Sequence, residues 1–183
     1  MVHSLTGHYQ LENCGIRGIV LNWFKSYLNN RKQCTSLLTY MSDLESVKYG
    51  VPQGSILGPL LFLIYVNDIQ YVVKDSKIKL FADDTNLFLY NTDVDKLFEI
   101  DNMNMSQLSD WFTVNRLNLN FDKTCYSTFH TNYVDLYKFK LYMDGKEIQR
   151  VESCKYLGIL IDSDLKWRHH IDYKASQIHK HIL

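Results

Sequence analysis

Residues Lys79–Phe88 read KLFADDTNLF, in which two adjacent aspartates, Asp83 and Asp84, stand between two apolar runs. Apolar runs on both sides of a short polar segment predict two strands joined by a sharp turn. Two interpretations of the aspartates are open at this point. Asp is a common turn residue because its carboxylate accepts a hydrogen bond from the backbone two residues on. Alternatively, a divalent metal ion needs both carboxylates.

The composition is typical of a soluble globular domain, because 46% of the 183 residues are hydrophobic and 14% are aromatic. The formal net charge is zero, with 20 Lys and Arg against 20 Asp and Glu, so the chain as a whole does not attract nucleic acid. Any nucleic-acid binding must therefore come from local basic patches. Two patches stand out: Arg17, Lys25, Arg31 and Lys32, and Lys166, Arg168, Lys174 and Lys180.

The four cysteines have neither the paired spacing of a zinc site nor that of a secreted disulfide framework. We expect Cys14, Cys34, Cys125 and Cys154 to be buried, reduced thiols. The longest apolar run, Leu60–Val66, is much shorter than the roughly 20 residues of a membrane span. No signal pattern follows Met1, so we expect an intracellular protein of the cytoplasm or the nucleus, without a membrane partner.

Hydrophobic periodicity and turn residues predict an α+β fold with an antiparallel sheet covered on one face by helices. Helices are predicted over residues 18–30, 55–69, 92–114 and 166–183, with Ser55 and Thr92 as caps of the middle two. The second helix is apolar on every side, so we expect it to be buried all round beneath a sheet. Hairpins are predicted at Asp83–Asp84 and Asp144–Gly145, and shorter strands over residues 33–38, 46–49 and 155–161.

The loop GVPQG at Gly50–Gly54 contains one proline, which restricts the backbone, and two glycines, which allow it unusual conformations. Gly54 allows a ligand to approach the main chain closely, and Gln53 offers an amide that can contact a base or a sugar. An ordinary helix entry explains the loop by itself. Its functional interpretation gains weight because the first aspartate of the acidic hairpin follows Gly54 by 29 residues.

Six blocks of the sequence form one pattern. They are GIRG at Gly15–Gly18, LNWFKSYLNNRKQ at Leu21–Gln33, GVPQGSILGPLLF at Gly50–Phe62, LFADDTNLF at Leu80–Phe88, LNLNFDKT at Leu117–Thr124 and KYLGILID at Lys155–Asp162. In this order and spacing they resemble the reverse transcriptases of non-LTR retrotransposons of the long-interspersed-element type. The resemblance covers nearly the whole chain. It implies a polymerase palm over residues 1–165 and the beginning of a thumb helix over residues 166–183.

The resemblance also implies an activity, RNA-directed DNA polymerisation, with an RNA template, a DNA primer and deoxynucleoside triphosphates as partners. In this reaction the primer 3′-hydroxyl attacks the α-phosphate, and two Mg²⁺ (or Mn²⁺) ions about 3.5–4 Å apart stabilise the attacking and leaving oxygens. The implied catalytic and metal-binding residues are Asp83, the firmer ligand, and Asp84. The sequence gives no clear sign of an oligomer.

Further residues receive roles through the same resemblance. Gln53, Gly54 and Phe81 correspond to positions that contact the incoming nucleotide and the template. Lys123 corresponds to a lysine near the leaving pyrophosphate, where a cation or proton donor favours departure; a surface turn lysine is the alternative. The hairpin that holds the primer strand corresponds to Tyr156, Leu157 and Gly158.

The resemblance breaks at the N-terminus. The family has a third catalytic carboxylate shortly before a histidine that precedes the GIRG glycine by twelve residues, as His3 precedes Gly15. This alignment places the third carboxylate before Met1, together with the fingers, so we expect this chain alone to be inactive or nearly so. One alternative is a catalytically dead remnant that binds nucleic acid or a partner weakly. Another, a two-metal nuclease or nucleotide cyclase, is disfavoured by the GVPQG loop.

Overall fold

A computed structural model describes residues 10–47, 50–52, 54–129 and 136–182 of the chain. Helices span α1 Gly18–Leu28, α2 Leu57–Val66, α3 Val94–Val114 and α4 Arg168–Ile182, with 3-10 helices at Asn67–Tyr71 and Phe121–Lys123. The strands are β1 Lys32–Gln33, β2 Ser36–Leu37, β3 Tyr40–Met41, β4 Glu45–Ser46, β5 Lys77–Phe81, β6 Asp84–Phe88, β7 Cys125–Tyr126, β8 Tyr142–Met143, β9 Lys146–Glu147, β10 Gln149–Arg150, β11 Ser153–Tyr156 and β12 Ile159–Asp162.

The mixture of helices with small, mainly antiparallel sheets confirms the α+β class. The described strands form six separate two-stranded sheets, of which β7–β10 is parallel and the others are antiparallel. The expected single sheet with helices on one face is therefore not present among the described residues. Strands of two residues make too few backbone hydrogen bonds to extend into a wide sheet.

The chain divides into two compact units. The first contains the described residues up to Val72 together with Trp111–Leu117, and the second contains Val73–Asp110 and the described residues from Asn118 onward. Helix α3 contributes to both units. The acidic hairpin β5–β6 and helix α4 belong to the second unit. The predicted division into palm and thumb stays a prediction.

The core of the first unit forms where α1 and α2 bury their apolar sides. Leu11, Leu21, Phe24 and Leu61 make one buried cluster, and Leu11 is only 1% exposed. The spacing of Leu21 and Phe24 puts both side chains on one face of α1. The predicted helix over residues 18–30 is confirmed with an earlier end, because Asn29 adopts an extended conformation (φ −92°, ψ 157°) and α1 stops at Leu28.

Helix α2 differs from its expected environment. It is apolar on all sides, yet Leu60 and Leu63 are 50% and 45% exposed, so among the described residues it is not buried all round. The reason is that the core cluster of the first unit covers only one side of the helix. Ser55 acts as predicted at the N-terminus, since its Oγ accepts a hydrogen bond from the Gly58 N–H at 3.0 Å.

Residues 32–46 form two nested hairpins in place of the predicted pair of strands. The outer one pairs β1 with β4, and the inner one pairs β2 with β3. The Leu38 φ of +56° reverses the chain between β2 and β3, and leucine is not a residue that predicts this conformation. The end of the predicted strand over residues 46–49, Lys48 and Tyr49, lies outside the described residues.

The core of the second unit is an aromatic stack on helix α3. The Phe98 ring lies 4.9 Å from the Phe139 ring in a stacked arrangement and 6.1 Å from the Tyr126 ring in an edge-to-face arrangement. Phe98 is 5% exposed, and Leu141, Met143 and Ile148 are buried in the same unit. The predicted extent of α3 is confirmed at its end, but Asp93 replaces Thr92 as the cap, because the Asp93 Oδ1 accepts a hydrogen bond from the Lys96 N–H.

Asn102 joins α3 to residues 140–142 by hydrogen bonds. Its Nδ2 donates to the carbonyls of Phe98 at 2.9 Å and Lys140 at 3.1 Å, and its Oδ1 accepts from the Tyr142 N–H at 2.9 Å. One side chain therefore satisfies backbone groups some 40 residues away, which sets the approach of β8 to the helix.

Asp101 lies beside this contact and is partly buried. Burial raises the pKa of its carboxyl from 3.8 to about 6. Because this pKa is higher in the folded state, ionisation costs the fold more than the unfolded chain. The resulting loss of stability is absent below about pH 4, grows as the pH rises, and is complete above about pH 6.

Asp101→Asn is therefore expected to raise the free energy of unfolding near neutral pH by about 1–2 kcal/mol, allowing for the solvent that reaches this side chain. Urea unfolding near neutral pH and near pH 4 measures the effect, and the gain should disappear at the lower pH. The exposed Asp110 on the same helix provides the control, Asp110→Asn. A gain from Asp101→Asn that persists at low pH would contradict the assigned cause.

The cysteines differ from the expectation of buried thiols. Cys14, Cys34 and Cys125 are exposed, and Cys154 is partly buried, which raises its pKa. All four are free thiols, so the expectation of reduced cysteines agrees with the structure. Among the described helices, none has the length and apolar content needed to cross a membrane.

Candidate active site

The register of the acidic hairpin places its two aspartates in different parts of the hairpin. Lys77 pairs with Phe88 at the base, and Phe81 pairs with Asp84 at the tip. The turn between the strands consequently consists of Ala82 and Asp83, whereas Asp84 is the first residue of β6. Both aspartates are exposed, as an ion-binding role requires.

Ala82 holds the turn in an unusual conformation. Its φ is +52°, in the left-handed region that glycine adopts freely and alanine does not. A non-glycine residue in this region costs about 1–2 kcal/mol. Such strained positions cluster at functional sites, where surrounding structure holds them. Residue type does not predict this conformation, because alanine is not a typical turn residue.

The two faces of the hairpin differ in polarity because side chains alternate along a strand. Ile78 and Leu80 are partly buried on one face, whereas Lys77, Lys79 and Phe81 are exposed on the other. Asp84 is paired with Phe81 and therefore shares the exposed face with it. The exposed face thus combines one acidic residue at the tip with two lysines and an aromatic ring.

The carboxylates of Asp83 and Asp84 match the donor chemistry that Mg²⁺ and Mn²⁺ prefer. The part of the chain that the structure describes contains no group of three or more His, Cys, Asp or Glu side chains arranged to hold a metal ion. Two adjacent carboxylates leave most of the coordination of a divalent ion to water and substrate. The donor set of this hairpin therefore fits a shared metal site and not a closed structural one.

The hairpin β11–β12 carries the residues predicted to hold the primer. Tyr156 pairs with Ile159, so Leu157 and Gly158 form the turn, with φ values of +48° and +84°. This corrects the single strand predicted over residues 155–161. The Tyr156 ring contacts the Phe88 ring edge to face at 5.8 Å. Since Phe88 lies at the base of the acidic hairpin, about 13 Å along the strand from Asp84, the contact joins the hairpins away from the aspartates.

Lys123 lies at the end of the 3-10 helix Phe121–Lys123 and is exposed. Within the described residues, no hydrogen bond or ion pair joins it to Asp83 or Asp84. Its implied role near the pyrophosphate stays a prediction.

The GVPQG loop is described only in part. Gln53 lies outside the described residues, and Gly54 belongs to the first unit. The Gly54 φ of +77° is a conformation that a side chain would strain, and nothing lies within 4 Å of the position that a Cβ atom would take. A glycine is therefore required here by the backbone, with open space left above it.

A cleft of about 390 Å³ in the second unit was not expected from the sequence. It lies between α3 and the β8–β9 hairpin, and its lining residues are Asn102, Ser106, Ser109, Asp110, Tyr142, Asp144 and Gly145. The lining contains two carboxylates and no cation, so it does not suit a triphosphate. This cleft and the acidic hairpin are therefore different places, and the chemistry favours the hairpin as the active-site candidate.

Comparison with known proteins agrees with this chemistry. The family model for reverse transcriptase (RNA-dependent DNA polymerase) matches residues 6–161. The RNA-directed DNA polymerase from mobile element jockey of Drosophila melanogaster is 27% identical over 154 residues, which cover 80% of this chain and 17% of that protein. The probable RNA-directed DNA polymerase from transposon BS of the same species shows the same identity and coverage.

A third relative, the probable RNA-directed DNA polymerase from transposon X-element of Drosophila melanogaster, is 26% identical over 155 residues, 80% of this chain and 16% of its own length. The chain thus spans about a sixth of the length of the curated relatives that it matches. No solved structure matches the chain significantly. The family model covers well over half of the chain, and the resemblance seen in the six sequence blocks is confirmed: the chain belongs to the reverse transcriptase (RNA-dependent DNA polymerase) family, among those of non-LTR retrotransposons.

Proposed function

We propose that this chain supplies palm residues of an RNA-directed DNA polymerase, over residues 1–165, and the beginning of the thumb, over residues 166–183. Its substrates are an RNA template, a DNA primer and deoxynucleoside triphosphates. The single observation that carries the proposal is that Asp83, in the strained turn, and Asp84, the first residue of β6, are both exposed in a chain of the reverse transcriptase family.

The reaction is one phosphoryl transfer. The primer 3′-hydroxyl loses its proton to solvent and its oxygen forms a bond to the α-phosphorus of the nucleotide. The bond between the α-phosphorus and the oxygen that bridges to the β-phosphate breaks, and pyrophosphate leaves. Paired Mg²⁺ or Mn²⁺ ions, when bound, lower the charge on the attacking and leaving oxygens. Asp83 and Asp84 supply carboxylate oxygens to hold the ions, with Asp83 as the firmer ligand, as the resemblance to the family implies.

The remaining residues position the reactants in this proposal. Phe81 shares the exposed face of the hairpin with Asp84 and offers its ring to the primer end or the nascent base pair. Gln53 and Gly54 contact the incoming nucleotide and the template. Lys123 neutralises charge on the departing pyrophosphate, which favours its release. The turn of the β11–β12 hairpin contacts the primer strand through Tyr156, Leu157 and Gly158.

Binding of Mn²⁺ to the hairpin tests the proposal without requiring catalysis. Mn²⁺ is paramagnetic and broadens NMR signals of nearby nuclei. Titration of the chain with Mn²⁺ is expected to broaden the backbone amide signals of residues 81–85 first. We expect weak binding, because water must supply most of the coordination.

Asp83→Asn should abolish this selective broadening, and Asp110→Asn should leave it unchanged. Asp110 is a suitable control because it is an exposed carboxylate of the same unit, outside the hairpin. Broadening that is equal at all exposed carboxylates would contradict a metal-binding role for the hairpin.

A further inference from the structure

A second surface of the second unit combines cations with one exposed aromatic ring. It consists of Tyr137, Lys138, Lys140 and Arg150, and is called the basic–aromatic surface below. None of these residues belongs to the six sequence blocks by which the chain resembles polymerases. The function proposed above assigns no role to this surface.

The backbone pattern presents these side chains outward. Leu136, Leu141 and Ile148 are buried in the second unit, whereas Tyr137, Lys138 and Lys140 between them are exposed. Tyr137 is 87% exposed, which is unusual for so large a ring next to a buried leucine. A solvent-exposed aromatic ring of this kind offers a flat apolar face for stacking.

Arg150 supports the ring from one side. Its guanidinium carbon lies 5.7 Å from the centre of the Tyr137 ring, within the range of a cation–π contact. The Arg150 side chain is only 24% exposed, so its position is held by its neighbours. Its Nε is buried without a hydrogen-bond partner, and Glu152 approaches its Nη2 only to 4.0 Å. The Nε cannot reach an anion in solution because it is buried, but the long contact of Nη2 with Glu152 leaves the exposed part of the guanidinium able to bind one.

The local charge is positive although the whole chain is neutral. Residues 136–150 contain four Lys and Arg and two Asp and Glu. Lys138 lies 4.7 Å from the Phe139 ring centre and has no carboxylate within ion-pair distance among the described residues. Lys140 pairs with Glu147 at 2.8 Å in an exposed contact, and exposed pairs of this type contribute little and are easily exchanged.

We propose that the basic–aromatic surface is a second nucleic-acid site, which binds single-stranded RNA or DNA without sequence preference. Tyr137 stacks on an unpaired base, and Lys138, Lys140 and Arg150 contact the adjoining phosphates. Single strands are favoured over duplexes because only an unpaired base exposes its face to a tyrosine. An acidic protein partner would use the cations but would not need the exposed ring.

Fluorescence anisotropy with labelled dT12 and rU12, at low salt and without divalent ions, tests this inference. Tyr137→Ala is expected to weaken binding of both oligonucleotides about tenfold, the loss of one base-stacking contact. Lys138→Gln combined with Lys140→Gln should lower the slope of log K against log salt by about 1.4, the value for two phosphate contacts to a single strand.

Matched controls exclude general effects of surface substitution. Tyr90→Ala removes another exposed tyrosine, 90% exposed, and Lys96→Gln removes another exposed lysine, both in the second unit. Neither should change the affinity by more than about twofold. Circular dichroism melting of each variant shows whether it is folded.

Two outcomes would overturn the inference. One is an affinity of Tyr137→Ala for both oligonucleotides within twofold of that of the unaltered chain. The other is displacement of the oligonucleotide by a poly-glutamate peptide that binds equally well to Tyr137→Ala, which would assign the surface to an acidic protein. The Mn²⁺ titration reports on residues 81–85 and the oligonucleotide titration on Tyr137, so failure of the metal site and failure of this surface give different results.

Discussion

Asp83→Asn is expected to lower primer extension on an RNA template by at least about 10²- to 10³-fold, the cost of removing one preorganised charged group from an active site. The assay uses the Drosophila melanogaster jockey polymerase in which the 154 residues of this chain that match it replace the corresponding segment, because the chain spans only 17% of the length of that protein. The loss should appear in kcat and not only in KM, since the carboxylate is proposed to act on the reacting phosphate.

Two variants make this result interpretable. Asp84→Asn should reduce activity less than Asp83→Asn, because Asp84 is proposed to be the weaker ligand. Asp110→Asn, which removes an exposed carboxylate outside the hairpin, should leave activity within about twofold. Full activity of the Asp83→Asn chimaera would remove the hairpin from the active site. If the chimaera with the unaltered segment is itself inactive, the same variants are compared in the polymerase of a relative that is more similar to this chain.

Phe98→Ala is expected to lower the free energy of unfolding by about 3–5 kcal/mol, the usual cost of truncating a buried Phe. The Phe98 ring is 5% exposed and is held between the rings of Phe139 and Tyr126. Its removal leaves a cavity between α3 and the rings of Phe139 and Tyr126. Urea unfolding followed by far-ultraviolet circular dichroism measures the loss.

Tyr90→Ala is the control for Phe98→Ala, since Tyr90 is an aromatic residue of the same unit that is 90% exposed. It should change the free energy of unfolding by less than about 0.5 kcal/mol. A loss below about 1 kcal/mol for Phe98→Ala would show that the aromatic stack does not stabilise the second unit.

Local sequence signals predicted the turns most reliably. Asp144–Gly145 forms the expected two-residue turn, with φ values of +52° and +70° and with Met143 paired to Lys146. The acidic hairpin is also confirmed, because its apolar alternation and its polar tip lie within ten residues of one another. Such signals are reliable because the residues that cause the turn are the residues that form it.

Predictions that depended on distant neighbours were less reliable. The apolar content of α2 correctly indicated a helix but not which of its sides is covered, and Leu60 remains half exposed. The exposed cysteines show the same limitation, since residue type gives only an average tendency to be buried. The Asn102 contact is also absent from any local pattern, because its partners at Lys140 and Tyr142 follow it by about 40 residues.

The sequence by itself determined the family, the positions of most helices and hairpins, and the placement of Asp83 and Asp84 near the tip of a hairpin, because these follow from patterns within short segments. Only the tertiary structure decided that the Ala82 backbone is strained, that burial raises the pKa of Asp101, and that Arg150 contacts the Tyr137 ring. These properties depend on the atoms that surround each residue after folding, and those atoms come from distant parts of the chain.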